Sequence, residues 1–215
     1  MSEATDLVKA AGVSMICNSL MTPLFLDGLF LEWTQRMYSD PRNLLPRVKP
    51  WLGAKAADSV FIVTTDEWLP TQVNRSPAIV VEVSTLTFDD ERYGAIGNTD
   101  THSDKGSRDI TDSITGQVVW TCFGESYGMS RLYSSNTMAL LRAFSTVMAR
   151  EFNFEKLRLA SVTAPEKKKD APELYQSQVI AKFVFSDTVT LQHEAPLLKR
   201  VNTLVETPGL SPKRI

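Results

Sequence analysis

Between residues 22 and 37 the apolar positions fall at helical spacing. Leu26, Leu29, Phe30, Trp33 and Met37 form one stripe, and Thr22 with Pro23 supplies a capping hydroxyl and a pre-set φ at the helix start. Asp40-Pro41, Pro46 and Pro50 break the pattern, so an irregular connection is expected to about residue 58. Two β-branched runs follow, 59–65 (SVFIVTT) and 78–84 (AIVVEVS), which read as strands, with Pro70 and residues 71–76 as the turn that would let them pair. From 89 to 115 the chain is rich in Asp, Gly, Ser and Thr with few apolar anchors, which predicts a long loop. Residues 117–123 (QVVWTCF) resume strand character.

After a glycine-bearing turn, Ser134 or Ser135 is expected to cap a second helix. Leu140, Phe144, Val147 and Met148 share one face of it with Leu141 alongside, and Arg142 and Arg150 point to solvent. Residues 156–162 and 178–191 read as a closing strand pair, in which Val179, Ala181, Phe183 and Phe185 alternate with Lys182 and Ser186. Their connector carries Pro165, Lys167, Lys168, Lys169 and Pro172 and is expected to project as a basic loop. Past Pro196 the tail is polar and proline-containing and needs a partner to become ordered. The pattern predicts an α/β chain of the α+β kind, with a mixed, mainly antiparallel sheet of about five strands and two main helices packed on it. An N-terminal arm (1–20), a single domain (21–193, with the long loop 89–115) and an extended tail (194–215) are the expected divisions.

Composition narrows the function classes. The 215 residues are 43% hydrophobic and 22% charged, enough for a sizeable core, and the formal net charge of -2 gives no overall field for nucleic-acid phosphates. Cys17 and Cys122 are the only cysteines and His102 and His193 the only histidines, so neither a disulfide framework nor a Cys- or His-rich metal centre is available. No cofactor is expected. The apolar stretch 10–31 is interrupted by Asn18, Pro23 and Asp27 and lacks the basic start of a signal peptide, so no membrane span and synthesis in a reducing cytoplasm are expected.

The sharpest enzyme signal is Gly124-Glu125-Ser126-Tyr127-Gly128, a G-x-S-x-G pentapeptide between a predicted strand and a predicted helix, as a hydrolase nucleophile elbow requires. Ser126 would need an activating base and acid, for which His193 and Asp187 are the candidates. Against it stand the expected late helix start, the lack of a glycine-rich oxyanion loop, and the closeness in sequence of Asp187 and His193. The plain alternative is a glycine-bracketed turn. Asp100, His102 and Asp104 alternate like the start of a calcium loop, but Lys105 stands where glycine is needed. Asp89, Asp90 and Glu91 read as an acidic turn. Trp33 and Trp120 lie on periodic elements and are expected in the core. Trp51, Trp68, Tyr93 and the lysines 167–169 are the interface candidates, since aromatic residues are enriched where subunits meet.

The order of elements, with Pro77-Ala78-Ile79-Val80-Val81-Glu82-Val83, then Gly116-Gln117-Val118-Val119-Trp120-Thr121-Cys122-Phe123-Gly124-Glu125-Ser126, the helix through Leu140 and Phe144, and the strand Phe183-Val184-Phe185, resembles the tail terminator, or neck, family of tailed bacteriophages. The resemblance covers roughly residues 20–193. It implies a structural virion protein without catalytic residues, made in the host cytoplasm. It also implies a homohexameric ring that ends tail-tube growth and joins the tail to the head connector or stopper protein, with DNA passing transiently through its channel. The loop 89–115 and the tail depart from the simplest members and would be extra arms to neighbouring subunits. A serine hydrolase using Ser126, or another head–tail component such as a stopper or collar, is the alternative.

Overall fold

In the computed structural model, which describes residues 13–17, 23–54, 56, 58–68, 77–88, 98–102, 107–169 and 171–193, the chain runs in the following order. β1 (Val13–Cys17), α1 (Pro23–Ser39), a 3-10 turn (Pro41–Asn43), β2 (Phe61–Thr64) and β3 (Ala78–Phe88) come first. They are followed by β4 (Asn98–His102), β5 (Ser107–Gly124), α2 (Tyr127–Glu151), β6 (Lys156–Val162), β7 (Glu166–Lys168) and β8 (Ala171–His193). One sheet takes all eight strands along the path β1-β8-β5-β3-β2, with β4 on β5 and with β6 and β7 on β8. The α+β class and the mixed, mainly antiparallel sheet are as the sequence predicts. The mixed character comes from β2, which pairs parallel to β3.

β5 and β8 pair antiparallel over the whole length of β5, from Ser107↔Gln192 to Gly124↔Tyr175. Different strands flank this ladder at its two ends. Toward Gly124, β3 and β2 lie on the β5 side and β6 and β7 on the β8 side, forming the body. Toward Ser107, β4 and β1 take those places and form a four-stranded arm. Both helices cover the same face of the body. Leu26, Phe30 and Trp33 of α1 and Tyr133, Leu140, Leu141 and Met148 of α2 share one core with Ile79, Val81, Val118, Trp120, Val179, Ala181, Phe183 and Phe185.

An aromatic layer fills the centre of that core. Phe30 meets Trp120 edge-on with centroids 5.8 Å apart, and Phe183 lies 5.3 Å from Phe30 and 5.1 Å from Phe154. Phe183 sits directly across the ladder from Gly116, and a Cβ added there would run into its ring. Glycine is required because the aromatic ring occupies the space of its missing side chain. Polar groups in the core are satisfied locally: Trp120 Nε1 donates to Thr34 Oγ1 at 2.8 Å, and Thr34 donates to the Phe30 carbonyl at 2.7 Å. The Asp27 carboxylate accepts the Val83 backbone N–H at 2.6 Å, tying α1 to β3. Burial holds the Asp27 carboxyl above its usual range against the opposing effect of that hydrogen bond.

Several expectations are corrected. The loop 89–115 is not one loop: β4 occupies 98–102 and β5 begins at 107, because Thr- and Ile-bearing polar sequence can pair when long strands flank it. Residues 89–97 and 103–106 lie outside the described residues, and Asp89, Asp90, Glu91, Tyr93 and Asp104 with them. The basic connector is a short hairpin, with β7 paired to the start of β8. The arm 1–20 contributes β1, and the tail 194–215 lies outside the described residues. β2 and β3 are parallel rather than a hairpin, which needs the long crossover between them. The second helix starts at Tyr127, well before Ser134. Its buried serines are paired, Ser130 Oγ donating to the Cys122 carbonyl at 3.0 Å and Ser134 Oγ to the Arg131 carbonyl at 3.0 Å. Val147 is 59% exposed rather than on the buried face.

Two measurements check this packing. Gly116→Ala is expected to displace Phe183 and lower the unfolding free energy by about 2 kcal/mol in denaturant titration, as overpacking of a filled core does. A loss near zero would mean the Phe183 ring does not hold its place over residue 116. Burial pushes the Cys122 thiol up to about 12. Alkylation of Cys122 at pH 8, located by peptide mass spectrometry, is therefore expected only across the global unfolding transition. Rapid labelling in native buffer is the contrary result.

Candidate interaction surfaces

The strand-to-helix turn is the first site to build. β5 ends at Gly124, where a Cβ would press on the Ser130 backbone nitrogen at 2.7 Å, so the glycine permits the close turn into α2. Ser126 is the N-cap: its backbone is extended and its hydroxyl accepts the Met129 N–H at 3.2 Å. This is the role that free N–H groups at a helix start demand. Gly124 pairs with Tyr175 at the body end of the ladder, whereas Asp187 lies about 12 residues further along β8 and His193 at its far end. At about 3.3 Å per residue, those positions are roughly 40 Å and 60 Å of strand away. His102, opposite Ser107, is likewise at the arm end. The structure does not bring Ser126 together with Asp187 or His193. The Asp100–His102 segment is a paired strand rather than a calcium loop, and no cluster of potential metal ligands occurs among the described residues.

The same end of the sheet gathers several of the interface candidates. On the face away from the helices, Phe61, Val63, Ala78, Val80 and Phe123 form a second apolar cluster, and Trp68 packs on it. Trp68 stacks on Phe123 with ring centroids 5.1 Å apart and planes 3° from parallel. The Lys168 ammonium lies 5.2 Å from the Phe123 centroid and 6.0 Å from that of Trp68, and Lys167 lies 5.8 Å from Tyr175. Tyr175 meets Tyr127, which is 52% exposed, edge-on at 6.3 Å. Trp68 and Lys168 thus meet at Phe123 in an aromatic and basic patch on the face away from the helices, while Lys167, Tyr175 and Tyr127 form a second group on the helix face of the same sheet end, beside the Ser126 turn. Lys169 is exposed beside Lys168.

Trp51 is not part of the patch. It packs half-buried against the main core, where its backbone N–H donates to the Tyr38 carbonyl at 3.0 Å. The connection before it is pinned to α2 by Leu45 N–H to Asn136 Oδ1 at 2.8 Å and Lys49 N–H to the Tyr133 hydroxyl at 3.0 Å. Tyr127 and Tyr175 were missed by sequence reading: Tyr127 sits in the pentapeptide at a position the motif leaves open, and only the strand register places Tyr175 opposite the turn. Among the described residues, the indole N–H groups of both Trp51 and Trp68 are buried without an acceptor.

The arm is the second surface. Its register sets Cys17, Val189, Ile110 and Thr99 in one row and Met15, Leu191, Arg108 and Thr101 in the next row on the same side, so apolar positions recur on one face, beyond the facing Asp112 and Asp187 in the row nearest the body. Both helices pack on the body strands, below this level. No family model and no curated protein matches this chain.

The capping role of Ser126 has a stability signature. Ser126→Ala is expected to lower the unfolding free energy by about 1 kcal/mol, while Ser126→Asp, which keeps an acceptor and adds favourable charge at the helix start, holds it. Equal losses for both would contradict the cap.

Proposed function

We propose that this chain is a structural connector of a bacteriophage virion, a tail terminator that assembles as a ring between the tail tube and the head connector or stopper. The observation that carries the reading is the arm. A strand in a globular protein averages about 5–6 residues, whereas β5 has 18 and β8 has 23, and their far halves extend past both helices. Apolar positions on one face of an extended arm gain cover when the arm lies on another subunit.

Two further features support assembly. The aromatic and basic patch lies at the opposite end of the ladder from the arm, so one protomer offers two different surfaces, as a heterologous contact requires. Its Trp68 N–H has no acceptor among the described residues, and leaving a buried donor unpaired costs roughly 1–3 kcal/mol that a partner carbonyl would recover. The patch is the surface for the axial neighbour, tail-tube or connector protein, and the ring leaves a channel for DNA.

Native mass spectrometry and electron microscopy of the purified chain test the reading, with a six-membered ring as the expected species. Val189→Asp with Leu191→Asp in the arm is expected to give folded monomers. Monomers alone from the unaltered chain, both by itself and with tail-tube protein, would sink the proposal. Labelling by a serine-reactive phosphonate, abolished in Ser126→Ala, would favour a hydrolase instead.

A further inference from the structure

A groove of about 440 Å³ runs between the start of α1 and the end of α2, lined by Leu24, Gly28, Leu29, Trp33 and Phe152, with Glu32 on its rim beside the Arg36–Glu151 ion pair. Leu24 is 74% exposed in it. Gly28 sits in the middle of α1, where glycine costs about 1 kcal/mol relative to alanine. A Cβ at Gly28 would meet no atom within 4 Å, so packing inside the chain does not demand glycine. A bare helix face of this kind lets another backbone approach closely.

The C-terminal segment has the complementary pattern. Although polar on average, it places Leu197, Leu198, Val201, Leu204 and Val205 at i, i+1, i+4, i+7 and i+8, the stripe of an amphipathic helix, and Pro208-Gly209 follows as a stop. Lys199 and Arg200 accompany the stripe, matching the acidic Glu32 on the groove rim. An amphipathic helix laid into an apolar groove is a recurrent mode of recognition.

We infer that residues 197–206 of one copy dock in this groove of the next copy. Reach decides between the chain's own groove and its neighbour's. The end of α2 is level with Val184, since Glu155 N–H donates to the Val184 carbonyl at 2.9 Å. β8 continues to His193, about 30 Å further at strand rise. The four residues from His193 to Leu197 span at most about 14 Å, so Leu197 falls short of its own groove. The tail leaves from the arm tip, the part of the protomer that extends farthest from its own helices.

This inference rests on the ring-forming reading and is tested on full-length chains. Gly28→Gln fills the groove with a better helix former and is expected to hold or raise the melting temperature while leaving the chain monomeric. Leu198→Asp with Val201→Asp spoils the tail stripe and is expected to do the same to assembly. A 1:1 mixture of the two variants pairs one intact tail with one intact groove, so analytical ultracentrifugation is expected to show dimers and no rings. Rings from either variant alone, or a mixture that stays monomeric, overturn tail docking while the ring reading stands. Monomers from the unaltered chain overturn the ring reading itself.

Discussion

The antiparallel ladder between β5 and β8 is the constraint on which the other features depend. Its register is unbroken from Ser107↔Gln192 to Gly124↔Tyr175, and a slip of one residue would turn Val118, Trp120 and Cys122 away from the helices. The Gly116–Phe183 pair locks that register from inside, because only one alignment puts a residue without a side chain under the ring. With the ladder set, β3 and β6 take places on either side and both helices fall on one face. The patch near Tyr175 and the arm near Gln192 then lie at opposite ends of one rigid element.

Much of this was legible in the sequence where one physical signal dominated. The α1 stripe, the Asp40-Pro41 stop, the alternation through Phe183 and Phe185 and the core positions of Trp33 and Trp120 all follow from burial on one face. The start of α2 was not, because Ser130, Ser134, Asn136 and Thr137 look like loop residues until their partners are known. Ser130 bonds the Cys122 carbonyl, Asn136 Oδ1 the Leu45 N–H and Thr137 the Tyr38 hydroxyl, so most of this polar face is paired, with Asn136 Nδ2 the unpaired donor in it. The halves of β5 and β8 beyond the body were also hidden. Their Asp, Ser and Thr content resembles a loop, and strand pairing there draws on backbone hydrogen bonds from β4 and, far away in sequence, from β1, which no local window contains.

The site was legible only in fragments. The pentapeptide around Ser126 has the context of a nucleophile elbow, and the structure does place it between a strand and a helix. Yet the serine's hydrogen bond goes to Met129, and both histidines are on the arm side of the ladder. Sequence separation hid the meeting of Trp68 and Lys168, which are about a hundred residues apart: Trp68 stacks on Phe123, and the Lys168 ammonium lies 5.2 Å from the Phe123 centroid and 6.0 Å from that of Trp68. Cation–π geometry of that kind contributes roughly 0.5–2 kcal/mol depending on desolvation, and it holds the β7 hairpin against the sheet. The lysines therefore read less as a free basic tip than as part of a built surface.

A protomer with unlike ends can meet its copies head to tail, and whether such a contact closes into a ring or runs on as a filament depends on the rotation it imposes. The groove between α1 and α2 lies close to the level where body becomes arm, and the row of apolar positions on the arm follows above it. In the reading proposed here, a neighbour's arm lying across that level covers both at once. Its tail then has only a short distance to travel into the groove. One interface would satisfy the helix glycine, the exposed Leu24 and the arm together, and it would leave the Trp68 patch, on the far face and far end, free for a different axial partner. That division between lateral and axial surfaces is what a ring between two unlike neighbours needs. It follows from a ladder longer than the body it supports.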